Sequence, residues 1–69
     1  MNPIPVREED YGTLWDLQKS MQKAALANDM DKVAELGREI TDKIYVLYPE
    51  CAGRKVRFDV SAKKIFILG

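Results

Sequence analysis

The segment IYVLYPECAGRKVRFDV, residues 44–60, decides the fold, because the spacing of its apolar residues changes from helical to strand-like. Proline has no N–H to donate and clashes with the preceding helical turn, so Pro49 predicts the end of a helix. Beyond it, Val56, Phe58 and Val60 alternate with charged residues. This alternation predicts a strand with one buried face. Helices followed by strands predict an α+β fold.

Upstream of Pro49, apolar positions recur every three or four residues, which is the spacing of one face of an α-helix. These positions are Met30, Val33, Gly37, Ile40, Ile44 and Leu47. We therefore expect a second helix over about residues 30–48. Gly37 lies on this stripe, where a glycine costs about 0.5–1 kcal/mol relative to alanine. Its presence predicts that another backbone packs closely against the helix at this point.

A first helix is predicted over about residues 8–27 by the same spacing. The acidic run at residues 8–10 suits the positive end of a helix dipole, whereas Thr13 with Asp16 offers an alternative start as a capping box. Asn28 and Asp29 interrupt the helical pattern, and both side chains can cap the second helix. A connection this short makes the two helices an antiparallel hairpin. The apolar stripe of the first helix comprises Tyr11, Leu14, Leu17, Met21 and Ala24.

The C-terminal residues predict a β-hairpin over about residues 54–68. Residues 61–63 form its turn, and residues 65–68 form a second strand that is apolar on both faces. An isolated hairpin is barely stable in water, and a helical hairpin covers only one face of it. The second strand is therefore expected to need cover from another polypeptide. Prolines at residues 3 and 5 predict an extended N-terminus.

The small size of the chain favours self-association. With 69 residues, a single domain over residues 1–69 is expected. Chains below about 70–80 residues usually need a source of stability beyond their own core, which we call a staple: a disulfide, a metal ion or a second subunit. One cysteine and no histidine exclude an intrachain disulfide and a histidine metal site. Because 46% of the residues are apolar, we expect the staple to be a second copy in a symmetric homodimer.

Location and charge give further expectations. The single thiol and the absence of a signal-like apolar run near the N-terminus predict a cytoplasmic protein. The longest apolar runs fall short of the roughly 20 residues that span a bilayer, so no membrane contact is expected.

Residues 1–53 carry six basic and ten acidic side chains, and residues 54–69 carry five basic and one acidic. These opposite balances suit the docking of two copies or of different partners.

Catalysis has little support in the sequence. There is no histidine to act as a general base, and Cys51 has no sequence neighbour that would lower its pKa. Asp29 and Asp31 could be metal ligands, but helix capping explains the pair better and calcium needs about 6–8 oxygen ligands. We therefore expect no enzyme activity, no catalytic or metal-binding residues and no cofactor.

Nucleic-acid binding is the alternative function. Five basic residues lie on or around the predicted hairpin, and β-ribbons can enter the major groove of DNA. Against this interpretation, the chain is neutral with a pI near 6.2, whereas nucleic-acid-binding domains are usually strongly basic. Basic side chains on an exposed strand also discourage unwanted edge pairing. The residues are Arg54, Lys55, Arg57, Lys63 and Lys64.

Protein binding is the preferred function, because the chain has more aromatic residues than its two helical stripes require. Tyrosine, tryptophan and arginine dominate the energetics of protein interfaces, since each combines a large area with a polar group. The alternative is that these rings only cover the core or a dimer interface. The predicted partner-binding residues are Tyr11, Trp15, Arg38, Tyr45, Tyr48, Arg54 and Arg57.

Two resemblances add to this interpretation. Residues 25–36, ALANDMDKVAEL, resemble the turn of many small helical hairpins, including those of flagellar-type export chaperones. Over the whole chain, the length and the order of helix, helix and basic hairpin are similar to the small early proteins of transposable phages, which include quorum-sensing anti-activators. This resemblance implies an inhibitor that binds and blocks host proteins, such as a transcription regulator, in the host cytoplasm. It transfers no binding residue.

Overall fold

The computed structural model describes residues 3–68 and has an α+β architecture, as predicted. Two helices form a hairpin, and three short strands form an antiparallel sheet that packs against it. A single 3₁₀ turn follows the second helix at Pro49–Cys51, where the sequence predicted a stop. The elements in chain order are β1 (Ile4–Pro5), α1 (Glu8–Leu26), α2 (Met30–Leu47), β2 (Val56–Asp59) and β3 (Lys64–Ile67).

The two polar residues of the turn between the helices, Asn28 and Asp29, have different structural roles. Asn28 has a positive φ of 60° and ends α1, with its N–H donating to the Ala25 carbonyl at 3.0 Å. The next N–H, of Asp29, donates to the Ala24 carbonyl at 2.9 Å, which completes a Schellman-type C-cap. The Asp29 side chain then accepts the N–H of Lys32 at 3.2 Å and caps α2. The expectation that both side chains cap the second helix is therefore correct only for Asp29.

The N-terminus of α1 lies at Glu8, so the alternative start at Thr13 is not used. Arg7 occupies the capping position without a side-chain hydrogen bond to the helix N–H groups. Three acidic residues fill the first turn instead, where carboxylates interact favourably with the helix dipole.

The sheet has the strand order β1-β3-β2, so the predicted hairpin gains a third strand. β1 pairs with β3 through Ile4 opposite Ile65 and Pro5 opposite Lys64. Proline is tolerated here because β1 is an edge strand. The N-terminal segment predicted only to be extended therefore covers one edge of β3, the strand expected to lack cover.

The core lies between the helical hairpin and the inner face of the sheet. Leu14, Ile44 and Ile65 are each at most 1% exposed. On β3, Phe66 and Ile67 are half-buried, whereas Leu68 beyond the strand is 53% exposed. Much of the apolar surface that suggested a second subunit is thus already buried within one chain.

The close backbone contact predicted at Gly37 is wrong. A Cβ atom built on Gly37 would meet only the Met21 Sδ atom, at 3.8 Å, which is ordinary van der Waals contact. The glycine is therefore not required by helix packing, and its missing side chain leaves open space beside α2.

Candidate functional site

The outer edge of β2 has no neighbouring strand among the residues described, because β2 is the last strand of the sheet. The Leu68 N–H donates to the Lys55 carbonyl at 2.7 Å. This bond shows which residues of β2 direct their N–H and C=O groups toward β3 and which direct them away. Antiparallel pairs alternate, so Arg57 also pairs with β3, whereas Val56 and Phe58 direct their N–H and C=O groups away from it. We call these outward groups of Val56 and Phe58 the β2 edge.

Two tyrosines hold the ends of β2 against the helices. The Tyr11 hydroxyl of α1 donates to the Val60 carbonyl at 3.3 Å, just beyond the strand. The Tyr45 hydroxyl of α2 donates to the Arg54 carbonyl at 2.6 Å, before the strand begins. The Tyr11 ring also meets the Phe58 ring edge-on, with centroids 5.9 Å apart. Tyr11 and Tyr45 therefore flank the β2 edge.

A groove of about 320 Å³ lies between β2 and the middle of the two helices. We call it the strand-side groove. It is open to solvent, and its lining presents polar and apolar surface in about equal parts, with Gln18 and Thr41 as polar residues on the helices. Its lining residues are Gln18, Met21, Gly37, Ile40, Thr41, Val56, Arg57 and Phe58.

The outer face of the sheet beside this groove is basic and aromatic. Arg57 lies opposite Phe66 in the register, and its guanidinium carbon is 5.3 Å from the centroid of that ring. The same guanidinium is 3.8 Å from the Asp59 carboxylate, a distance at which exposed ion pairs contribute little. Lys55, directly before this strand, is also exposed. Arg57 and Lys55 therefore present positive charge along the outer side of β2.

The helices contribute two more predicted residues to this side of the molecule. Trp15 lies one helical turn after Tyr11, is half-buried, and is outside the set of side chains that pack against the core. The Lys19 ammonium lies 5.5 Å from the centroid of its ring. Arg38 is exposed and lies about two helical turns before Tyr45, on the same side of α2. Trp15 and Arg38 therefore lie on the same sides of the two helices as Tyr11 and Tyr45.

Tyr48 has a structural environment that differs from that of the other predicted residues. Only 3% of it is exposed. Its hydroxyl accepts the Arg7 backbone N–H at 2.9 Å and donates to the Asp10 carboxylate at 2.9 Å. The Arg7 guanidinium donates to the same carboxylate at 2.9 Å and to the Leu47 carbonyl at 2.9 Å. Tyr48 therefore offers no surface to a partner, and it belongs to a network that ties the N-terminal segment to the end of α2.

The network also shifts the ionisation of its members. The hydrogen bond from Arg7 lowers the pKa of Asp10, and the Tyr48 hydroxyl lowers it further, although burial acts in the opposite direction. Burial raises the pKa of Tyr48. Sequence reasoning treated Asp10 only as a helix-dipole residue, because its partner Tyr48 lies 38 positions away along the chain. The one local indication of this network in the sequence was the spacing of Arg7 and Asp10, because residues three apart can form an ion pair.

The remaining candidate groups for chemistry are isolated. Cys51 is completely buried, and this burial is the main reason why the pKa of its thiol is raised. Across residues 3–68, no three His, Cys, Asp or Glu side chains come together as a set able to hold a metal ion. Within the same range, neither helix combines the length and apolar character needed to cross a membrane.

A second groove of about 320 Å³ is lined by helical residues alone, and we call it the helical-side groove. Its apolar part consists of Leu17, which also packs against the core, and Val46, which is 74% exposed. Its charged rim is formed by Glu39, Asp42 and Lys43.

Comparison of the chain with protein-family models, with curated proteins and with solved structures found no match. The structure brings Tyr11, Tyr45, Arg54 and Arg57 together at β2 and places Tyr48 in the core. Trp15 and Arg38 lie on the same sides of their helices as Tyr11 and Tyr45.

Proposed function

We propose that this chain is a non-enzymatic protein-binding module that binds its partner through the surroundings of the β2 edge. The observation that carries the proposal is an unpaired strand edge beside an open groove. On α1, one helical turn after Tyr11, Trp15 adds a half-buried ring that the core does not use. Exposed strand edges and aromatic side chains that are only partly covered are typical binding elements.

We also propose that binding inhibits the partner. A small protein that acts by contact alone can block a larger one by covering the surface that the larger protein needs. The layout of two helices followed by a basic hairpin supports this role through its similarity to the small early proteins of transposable phages. A host transcription regulator is the partner that this similarity favours.

Self-association through the helical-side groove is a separate part of the proposal. A standard interface buries roughly 800 Å² on each partner, and the chain exposes 4718 Å² in total. Val46 offers apolar area there, and the rim of Glu39, Asp42 and Lys43 carries both signs of charge. A two-fold arrangement can set Lys43 of one copy against a carboxylate of the other.

A protein partner is favoured over nucleic acid because the chain carries no net charge and only five basic residues lie on or around the hairpin. One of these five, Lys63, already interacts within the chain. The Lys63 ammonium lies 5.1 Å from the centroid of the Tyr11 ring. The isolated charges that remain are fewer than a phosphate-binding surface usually presents.

The test uses the immobilised full chain as bait for proteins of a host lysate, with Trp15→Ala and Leu26→Ala as matched variants. Leu26 is 89% exposed at the far end of the hairpin, so this control removes a large apolar side chain elsewhere. We expect Trp15→Ala to lose the captured protein and Leu26→Ala to retain it. Retention by both variants, or release of the captured material by nuclease, would contradict the proposal.

The dimer is tested by sedimentation equilibrium at micromolar concentration. We expect twice the chain mass of 7.9 kDa for the wild type, and the monomer mass for Val46→Glu. The control Leu26→Glu adds the same charge at the far end and should leave the dimer intact. A folded wild-type protein of monomer mass would refute the dimer, and a dimer of Val46→Glu would refute this interface.

A further inference from the structure

We infer that the partner supplies an extended, acidic segment that adds to the β2 edge as a fourth strand, antiparallel to β2. This inference rests on the proposed function, since it specifies how the same surface binds a protein. It commits to one occupant, a strand of another protein that alternates apolar and acidic residues.

The backbone of β2 provides the template. Val56 and Phe58 direct N–H and C=O groups away from β3, and no strand of the described chain pairs with them. An added strand gains main-chain hydrogen bonds from such an edge. The Tyr45 and Tyr11 hydroxyls already bond to the carbonyls of Arg54 and Val60, which limits the free edge to the strand between them.

The strand-side groove accommodates half of the side chains of the added strand. Residues paired with Val56 and Phe58 direct their side chains to the inner face, because side chains alternate along a strand. That side opens onto Met21 and Gly37, where the missing Cβ leaves space. Medium-sized apolar side chains such as valine suit this position, and Gly37 gains a role that helix packing does not give it.

The outer face of the sheet determines which charges are favoured on the added strand. The residue opposite Arg57 and the residue opposite Lys55 lie on the side of the sheet that carries these two exposed cations. Opposite charges on directly facing residues of an antiparallel pair are favourable, and like charges are unfavourable. Glutamate or aspartate is therefore favoured at both positions, with an uncharged polar residue opposite Asp59.

A second copy of β2 fits this edge less well. Two-fold pairing centred on Arg57 sets this cation opposite its own copy, and pairing centred on Val56 sets it opposite Lys55. Pairing centred on Phe58 sets Arg57 opposite Asp59 of the copy, but it leaves Lys55 opposite the uncharged Ser61, so it satisfies one of the two cations where an acidic strand satisfies both. The charge pattern of the edge thus favours a foreign acidic strand.

The experiment uses the ¹⁵N-labelled full chain and a capped heptapeptide, Val-Thr-Val-Glu-Val-Glu-Val. In the inferred register, its third to sixth residues face Phe58, Arg57, Val56 and Lys55. We expect saturable chemical-shift changes and slower hydrogen exchange at the Val56 and Phe58 amides. A peptide with lysine in place of both glutamates should bind at least about tenfold more weakly, which corresponds to about 1.4 kcal/mol.

Backbone pairing has its own matched control. N-methylation of the third and fifth peptide residues removes the N–H groups that face β2 and should abolish binding. N-methylation of the fourth residue removes an N–H that points away from β2 and should weaken binding far less. The variant Arg57→Glu should reverse the preference between the glutamate and lysine peptides, and Lys55→Glu provides a second reversal if Arg57→Glu is unstable.

Several results would overturn the inference. Equal binding of the glutamate and lysine peptides would refute the charge selection, and equal effects of the two N-methylations would refute strand addition. Protection of the Val56 and Phe58 amides that rises with protein concentration alone would assign the edge to a second copy. Each result leaves the capture experiment with Trp15→Ala unaffected, so failure of this inference is distinguishable from failure of the proposed function.

Discussion

The hydroxyl of Tyr48 offers a test of how the fold is held together, through the variant Tyr48→Phe. This substitution keeps the ring in the core and deletes one oxygen. That oxygen accepts the Arg7 N–H and donates to the Asp10 carboxylate, both at 2.9 Å, in a residue that is 3% exposed. We expect a clear loss of stability, because the partners of this hydroxyl lose a hydrogen bond where water has little access.

The size of the effect follows from the two hydrogen bonds. At a net contribution of about 0.5–1.5 kcal/mol each, their loss costs about 1–3 kcal/mol. Small domains have a free energy of unfolding of about 0.05–0.15 kcal/mol per residue, so this is a large fraction of the total. For a chain of this length, a loss of about 2 kcal/mol lowers Tm by about 8–16 °C.

The matched control is Tyr45→Phe, which deletes the same oxygen from a bond to the Arg54 carbonyl at an exposed site. Water can replace that bond, so we expect a cost of about 0.5 kcal/mol or less. Urea unfolding followed by circular dichroism measures both variants, at two protein concentrations to separate any effect of self-association. A Tyr48→Phe midpoint equal to that of the wild type, or equal losses for the two variants, would refute the reasoning.

Three further predictions concern pH, the glycine of α2 and the thiol. The pKa of Asp10 is lowered from its ordinary value near 3.8, mainly by the hydrogen bond from Arg7, so its contribution is complete above about pH 4 and is lost as pH falls through the folded-state pKa. The stability advantage of the wild type over Asp10→Asn should therefore shrink in acid, and urea midpoints that keep a constant difference across pH would contradict this. Gly37→Ala should raise the free energy of unfolding by about 0.5–1 kcal/mol, because its Cβ meets only the Met21 Sδ atom; a lower urea midpoint would show that the space is needed. The buried Cys51 thiol should react with a disulfide reagent only as fast as the protein opens, and rapid labelling of the native protein would place this residue at the surface.

The helices and the hairpin could be predicted because their signals are local. Apolar spacing of three and four residues located both helices, and Pro49 located the end of the second one. The task of Asn28 was harder to predict, since its short polar side chain suits both an N-cap and a left-handed C-cap. Strand β1 was missed because two prolines predict extension but give no information about which strand lies beside them.

The surface around β2 could be predicted in composition but not in arrangement. Tyrosine, tryptophan and arginine are typical of protein interfaces, so residue type alone identified the candidates. It gave no information about where they lie in the fold. Tyr11 and Tyr45 come from different helices, and only the tertiary fold sets them at opposite ends of β2. Tyr48 follows Tyr45 closely in sequence, yet its hydroxyl reaches Arg7 and Asp10 and it becomes part of the core. The strand-side groove has no sequence signal except Gly37, which was interpreted as a packing contact.

The central position of β3 has a consequence for the order of folding. β1 and β2 both pair with β3 and not with each other, and β3 comes after them in the chain. During synthesis, the helical hairpin can form as soon as its residues leave the ribosome, but no strand has a neighbour until Lys64–Ile67 has been made. Pairing of Ile4 with Ile65 then closes a loop of nearly the whole chain, which is entropically the most costly kind of contact to form early. The sheet should therefore assemble late and as a unit, on a helical hairpin that is already in place.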